Sequence, residues 1–228
     1  MRLELDAGNT RIKWRTVDEA GEVGGDDFAA ALTQQMIAMD KVSTVWVSSV
    51  HEQQNQWIKQ QCPNAQFAQS QVSKNGLSNS YEDPHKMGVD RWLAMLAAWT
   101  RQPDNAHLII DAGTALTMDI VDAFGRHVGG YICPGLGLMK DSLLGATSRV
   151  HAKDDWLIGR APGENTQMCV DHGILDLVVS WIEKHKALQP EANVWLTGGA
   201  APLLIQLFEK PVIHEPHLVL DGLRTYFE

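Results

Sequence analysis

The sequence predicts an α/β fold assembled from two similar halves. Two observations carry that expectation. First, a short stretch occurs twice. Asp6-Ala7-Gly8-Asn9-Thr10-Arg11-Ile12-Lys13 follows the alternating Arg2-Leu3-Glu4-Leu5, and Asp111-Ala112-Gly113-Thr114-Ala115-Leu116-Thr117 follows the apolar run Leu108-Ile109-Ile110. Each copy reads as a strand, a tight turn beginning Asp-Ala-Gly, and a second strand. Second, each half goes on to alternate helix-period segments with short apolar strands, the sequence pattern of α/β proteins.

Composition sets the class. The chain has 228 residues, 44% hydrophobic and 21% charged, which suits a globular protein of one large domain or two small ones. Pro103-Asp104-Asn105 marks the boundary, giving halves 1–104 and 105–228. With 19 basic against 28 acidic residues the net charge is −9, which argues against a nucleic-acid or anionic membrane surface. An anionic ligand then needs local cations, which singles out Lys13 and Arg91. Cys62, Cys133 and Cys169 are too few and too scattered for a disulfide framework or a metal cluster. Met1-Arg2-Leu3-Glu4 runs straight into a strand, with no signal peptide, and no apolar run has membrane-spanning length. The expected location is the cytoplasm.

The elements follow in order. Ile12, Trp14 and Thr16 alternate in the first return strand, and 21–25 reads as a turn-rich connection. Asp27 can cap a helix to about Met39, with Phe28, Leu32 and Met36 on one face. A β-branched strand over 42–50 precedes a helix over 52–61. A polar loop, 73–86, holds Tyr81. Gly88 opens a helix over 89–100, with Val89, Trp92, Leu96 and Trp99 at helical spacing. In the second half the repeated hairpin is followed by a strand over 127–132 and a helix over 136–144. Residues 147–164 have no period. Asn165 or Thr166 caps a long helix to about Lys186. A strand over 193–196 ends in Thr197-Gly198-Gly199. A helix over 200–208, a short strand near Val212 and a helix over 218–227 complete the chain.

The repeated turns have the residue types that phosphate chemistry requires. Gly8 and Gly113 let the backbone turn where a side chain would obstruct a ligand. Asn9, Thr10, Thr114 and Thr117 supply short donors, and the turns' own N–H groups can converge on an anion. Asp6 and Asp111 stand at strand ends, where a carboxylate can hold a cation or a metal-bound water. Two such hairpins facing each other form a cleft for a polyphosphate; the alternative is a pair of ordinary hairpins with Asp-Gly turn chemistry. Asp90 lies in the first turn of its helix, where the helix dipole favours a carboxylate. Gly135 leads into the 136–144 helix, whose N–H groups suit an anion as well as a plain glycine turn does. His214, His217 and Asp221 lack a convincing further ligand for a metal. Duplicated α/β halves, each opened by a phosphate hairpin, point by analogy of fold to the actin-like, sugar-kinase-like (ASKHA) architecture, with the nucleotide in the cleft between domains.

Five stretches, in order, resemble one family. Asp6 to Lys13 resembles the first phosphate motif of the type III pantothenate kinases, also called Bvg accessory factor-like proteins. Gly88-Val89-Asp90-Arg91 matches their Gly-x-Asp-Arg. Asp111 to Thr117 resembles their second phosphate motif, and Gly129-Gly-Tyr-Ile-Cys-Pro-Gly135 and Thr197-Gly-Gly199 complete the set. The resemblance implies ATP-dependent phosphorylation of the primary hydroxyl of pantothenate, the first step towards coenzyme A. It implies that residues 6 to 13 (Asp6, Ala7, Gly8, Asn9, Thr10, Arg11, Ile12, Lys13) and Thr114 hold ATP. Tyr81, Gly88, Val89, Asp90, Arg91 and Thr166 would contact pantothenate, and Asp111 a monovalent cation, potassium or ammonium. Members of the family are similar in being homodimers whose pockets use both subunits.

Phosphoryl transfer needs an in-line hydroxyl, neutralised phosphate charge and a group to take the hydroxyl proton. Asp90 is the candidate acceptor, and Mg²⁺ arrives with ATP. Two rival readings stand beside this one. One is a kinase or phosphatase of the same fold for another small substrate; the other is a nucleotide-binding regulatory protein without turnover.

Overall fold

A computed structural model describes residues 2–8, 10–24, 42–147 and 150–228. The helix expected over 27–39 lies outside the described residues. By contacts the chain forms two compact units. One comprises Met1–Pro103 with Gly125–His127 and His217–Glu228; the other comprises Asp104–Phe124 and Val128–Pro216.

The sheet of the first unit is formed by β1 (Arg2–Ala7), β2 (Arg11–Arg15), β3 (Ala20–Gly24), β4 (Thr44–Ser49) and β5 (Gln66–Phe67), in the order β3-β2-β1-β4-β5. β2 pairs antiparallel with β1 and β3, whereas β4 pairs parallel with β1 and β5. Leu3, Leu5, Ala7, Ile12, Trp14, Val45 and Val47 build its core, with Ile58 and Cys62 from the helical side. Strand β3 corrects the expectation of a connection over 21–25. The hydroxyl of Thr16 accepts from the N–H groups of Asp18 and Glu19, at 3.3 and 3.1 Å, and folds the chain back along β2. A Cβ on Gly21 would stand 2.9 Å from the Trp14 indole, so only glycine lets the returning strand lie over that ring.

Helix α1 (Glu52–Gln61) follows β4. A small hairpin, β6 (Ser73–Lys74) and β7 (Leu77–Ser78), precedes helix α2 (Val89–Arg101). The expected apolar stripe of α2 is in fact a helix buried all round. Every residue from Trp92 to Trp99 is enclosed, as an almost wholly apolar sequence requires.

The second unit repeats the plan. Its sheet runs β10-β9-β8-β11-β12, formed by β8 (His107–Ala112), β9 (Ala115–Val121), β10 (His127–Pro134), β11 (Asn193–Thr197) and β12 (Ile213–His214). β8 pairs antiparallel with β9 and parallel with β11, as β1 does with β2 and β4. Helices α3 (Leu136–Ala146), α4 (Thr166–Leu188) and the short α5 (Ala201–Leu204) accompany it. The expected helix over 200–208 is thus α5 followed by a 3-10 turn, Ile205–Leu207. Leu175, Val178, Val179 and Ile182 of α4 join Leu108, Ile110, Leu116, Met118, Val194 and Leu196 of the strands in one core.

The last helix, α6 (Leu218–Phe227), belongs to the first unit and packs on α2. A Cβ on Gly222 would collide with the carbonyl of Leu93, so glycine sets how closely the two helices approach. Ion pairs fasten α6 to the sheet. Buried Glu4 takes Arg15 at 2.6 Å and Arg224 at 3.1 Å, and Asp221 takes Arg15 and Arg101, each at 2.6 Å. Asp221, weighed with His214 and His217 as a metal ligand, is engaged by those two arginines.

Candidate active site

Within the first unit, the strand-end carboxylate of Asp6 lies in register with Lys13 on β2 and Ser48 on β4. Paired strand residues share a face, so one cation and one hydroxyl flank the acid. Ser48 donates to Asp6 Oδ1 at 3.0 Å. The turn itself is closed by the N–H of Gly8 donating to the carbonyl of Arg11 at 3.1 Å. That N–H is therefore spent on the hairpin, and Gly8 serves by its shape: a Cβ there would stand 3.2 Å from the same carbonyl. Ala7 and Ile12 point into the core. Arg11 is exposed and forms an ion pair with Glu22 on β3. Thr10 is exposed at the turn, and Asn9 lies outside the described residues.

A second group surrounds the start of α2. Gly88 is its N-cap. Asp90 Oδ1 accepts from the N–H of Arg91 at 2.8 Å, which fixes the carboxylate at the positive end of the helix. A Cβ on residue 88 would stand 2.6 Å from that oxygen, so a larger residue there would displace the Asp90 carboxylate from its present position. Arg91 is only 6% exposed; its Nη1 donates to the Tyr81 hydroxyl at 2.6 Å, with the guanidinium 5.6 Å from the centre of that ring. Val89 is core. The first unit therefore holds two groups: Asp6 with Lys13 and Ser48, and Gly88, Asp90 and Arg91 with Tyr81.

In the second unit, Asp111 stands in register with Thr117 on β9 and with buried Thr197 on β11. The first hairpin's Lys13 and Ser48 are thus matched by two threonines. Gly113 closes its turn through Ala115, at 3.1 Å, and exposed Thr114 sits at the tip. Two glycines enclose this turn. The N–H of Gly135 donates to the carbonyl of Thr114 at 2.9 Å, and a Cβ on Gly135 would strike the Gly113 carbonyl. Gly198, at φ +93°, lies against Asp111 and Ala112, where a side chain would be both strained and obstructed. Gly135 and Gly198 of the two later motifs are therefore explained by close approach to the second hairpin, whereas Gly129 and Gly199 face open space. The Thr197 hydroxyl donates to the carbonyl of Pro216 at 3.5 Å.

Thr166 stands apart from that group, at the first turn of α4. Asn165 caps the helix, its Oδ1 accepting from the N–H of Met168 at 3.0 Å. Thr166 lines an open pocket of about 650 Å³ with Leu143, Val150, Cys169, Val170 and Ile174. The irregular stretch before it is strapped along α4. Lys140 of α3 is buried, pairing with Asp171 at 2.9 Å and donating to the carbonyl of Asp155 at 3.1 Å. The N–H of Leu157 donates to Asp171 Oδ2 at 3.0 Å, and Arg160 spans Asp176, Ser180 and Glu183. Burial alone would raise the Asp171 carboxyl, but the Leu157 N–H, the Lys140 ammonium and the Gln167 amide together hold it below the usual range.

Comparisons with known proteins place the chain in a family. The family model described as type III pantothenate kinase matches residues 2–187. A type III pantothenate kinase of Alcanivorax borkumensis is 37% identical over 98% of this chain and 97% of its own. One from Marinobacter nauticus is also 37% identical, over 98% and 96%. The chain belongs to the type III pantothenate kinase family. Among solved structures, a protein from Campylobacter jejuni described as a Baf family transcriptional activator is similar at a TM-score of 0.71 and 20% identity, over 99% of this chain and 96% of that one. A protein from Sinorhizobium meliloti described as a 2-dehydro-3-deoxygalactonokinase is similar at 0.56 and 13%, over 99% and 98%. These likenesses identify the fold as the actin-like, sugar-kinase-like one. The kinase uses ATP and pantothenate as its substrates. Among the described residues, no helix is long and apolar enough to cross a membrane.

Neither Ser48 nor His127 carries a sequence signal. Ser48 ends a β-branched strand with nothing local to mark it, because only the parallel pairing of β1 with β4 brings it to Asp6. His127 opens β10 and has no motif of its own.

Proposed function

We propose that this chain carries out the reaction of its family, transfer of the ATP γ-phosphoryl group to the primary hydroxyl of pantothenate, with Asp90 taking the hydroxyl proton. The observation that carries the reading is the pairing of Asp90, held at a helix N-terminus, with the buried, tyrosine-bound guanidinium of Arg91. Arg91 binds the pantothenate carboxylate, for which a planar, weakly hydrated cation is the suitable partner. Tyr81 borders the same substrate. The first hairpin holds the ATP phosphates chiefly through Lys13 and Thr10, since its glycine N–H is committed to the turn. Thr114 meets ATP from the second hairpin.

Mg²⁺ enters as part of the nucleotide complex. Asp111, with Thr117 and Thr197 beside it, holds a potassium or ammonium ion, which offsets the repulsion between its own carboxylate and the phosphates. Thr166 contacts pantothenate, and the working form is a homodimer with shared pockets. Self-association is supported by exposed apolar residues of the second unit. Leu177 stands one helical turn from Trp181, whose indole meets the ring of exposed Tyr131 edge-on at 5.8 Å.

The test of the mechanism is Asp90→Asn. The change keeps the shape and an oxygen for the Arg91 N–H but removes the charge, so stability should hold within about 1 kcal/mol. Turnover should fall by about 10²–10⁴, the range for a general base, with both substrates still binding within a few-fold. Turnover within about threefold of the parent would return Asp90 to a purely structural role.

A further inference from the structure

Gly125 and Arg126 of the β9–β10 turn, with His127 at the start of β10, are part of the first unit. Gly125 takes φ +75° against the carbonyl of Gly76 and the indole of Trp99, leaving no room for a side chain. Its own carbonyl accepts from the N–H of Ser78 at 2.8 Å, and Ser78 and Arg126 form an isolated parallel bridge. This docking brings His127, 3% exposed, to the loop that carries Tyr81. His127 Nδ1 lies 3.0 Å from the hydroxyl of Ser80. The imidazole is nearly parallel to the Tyr81 ring, at 22° with centroids 6.3 Å apart. The Tyr81 hydroxyl in turn accepts from Arg91, as described above.

We propose that His127 is a positioning residue for pantothenate: with Ser80 it fixes the plane of Tyr81, and through the tyrosine hydroxyl the guanidinium of Arg91. The proposal rests on Tyr81 and Arg91 as pantothenate contacts. Arginine has several rotatable bonds and loses entropy when ordered, so a partner that already holds it lowers the cost of binding. Tyr81 is itself on a short polar loop and needs support to hold another group within a fraction of an ångström. That support comes from Asn79, whose Oδ1 accepts from the Tyr81 N–H at 3.0 Å, and from the His127–Ser80 pair.

The experiment is a double-mutant cycle read in steady-state constants for each substrate, using His127→Phe, Ser80→Ala, Tyr81→Ala and their combinations. His127→Phe keeps a ring and loses the polar atom; Ser80→Ala removes the same bond from an exposed position. Either should raise the pantothenate KM about two- to tenfold, the size of one neutral hydrogen bond, and leave the ATP KM nearly unchanged. His127→Asn, which returns a polar atom near the place of Nδ1, should restore most of the loss. With Tyr81→Ala already present, the further change at His127 or Ser80 should add little. Additive effects, equal shifts in both KM values, or an unchanged pantothenate KM would overturn the positioning role. If His127→Phe does not fold, Ser80→Ala completes the cycle alone. An unchanged pantothenate KM in Tyr81→Ala would instead remove the underlying reading of Tyr81, and this proposal with it.

Discussion

Lys13 faces Asp6 across β1 and β2, whereas the second hairpin places Thr117 opposite Asp111. The turns also differ in length, with four residues between paired Ala7 and Ile12 and three between Ala112 and Leu116, so the two hairpins should serve different ligands. Lys13→Ala should weaken ATP by about ten- to a hundredfold, because a charge-assisted phosphate contact is worth about 1.5–3 kcal/mol. Pantothenate should be little affected; an unchanged ATP KM in the variant would refute the role. Asp111→Asn should abolish dependence on potassium or ammonium, together with most of the activity. Equal turnover of the parent in sodium and potassium buffers would count against a cation there. At this scale the Asp-Ala-Gly turns were legible because local chemistry dictates them. Gly88 was legible as a motif, and its reason, the carboxylate of Asp90 folded against it, required coordinates. Ser48 and Thr197 reach their aspartates through parallel pairing, which sequence spacing does not encode.

Helix α4 and the strap before it show how an aperiodic stretch becomes ordered. Residues 150–164 are irregular, as expected of a stretch in which nothing repeats at 2 or 3.6. The anchoring was hidden because it runs through side chains of α3 and α4 to backbone groups of the strap. Asp171 is the central anchor, fully buried between Lys140 and the Leu157 N–H. Asp171→Asn leaves the Lys140 ammonium buried without its counter-charge, which costs about 3–5 kcal/mol. For a domain of this size that lowers Tm by about 10 °C at pH 7. The pH dependence has a definite sign. A carboxyl held below its unfolded value contributes stability above about pH 4, and loses it as pH falls through the lower folded value. The gap in Tm between parent and variant should therefore narrow on acidification, as thermal unfolding from pH 7 to pH 3 would reveal. A gap that widened, or no loss at pH 7, would contradict the anchoring role. Strand β3 was missed for a related reason, since its pairing depends on the Thr16 turn and the Trp14 ring rather than on its own glycine-rich sequence.

Across the whole molecule, both sheets share one strand order, and each places an aspartate at the end of the strand between an antiparallel and a parallel neighbour. That duplication was legible because the hairpin motif recurs at the start of each half. The return of α6 to the first unit was not. Leu218, Val219, Leu220 and Leu223 announce a buried helix, but only the approach of Gly222 to Leu93 and the arginine clamps on Asp221 specify which helix it packs on. The most direct test of pantothenate phosphorylation is ADP formation from ATP by the purified chain in potassium buffer, with and without pantothenate. ADP should accumulate only when pantothenate is present, in equal amount to phosphorylated pantothenate. ADP formation that is indifferent to pantothenate, or that responds instead to glycerol or acetate, would contradict the account.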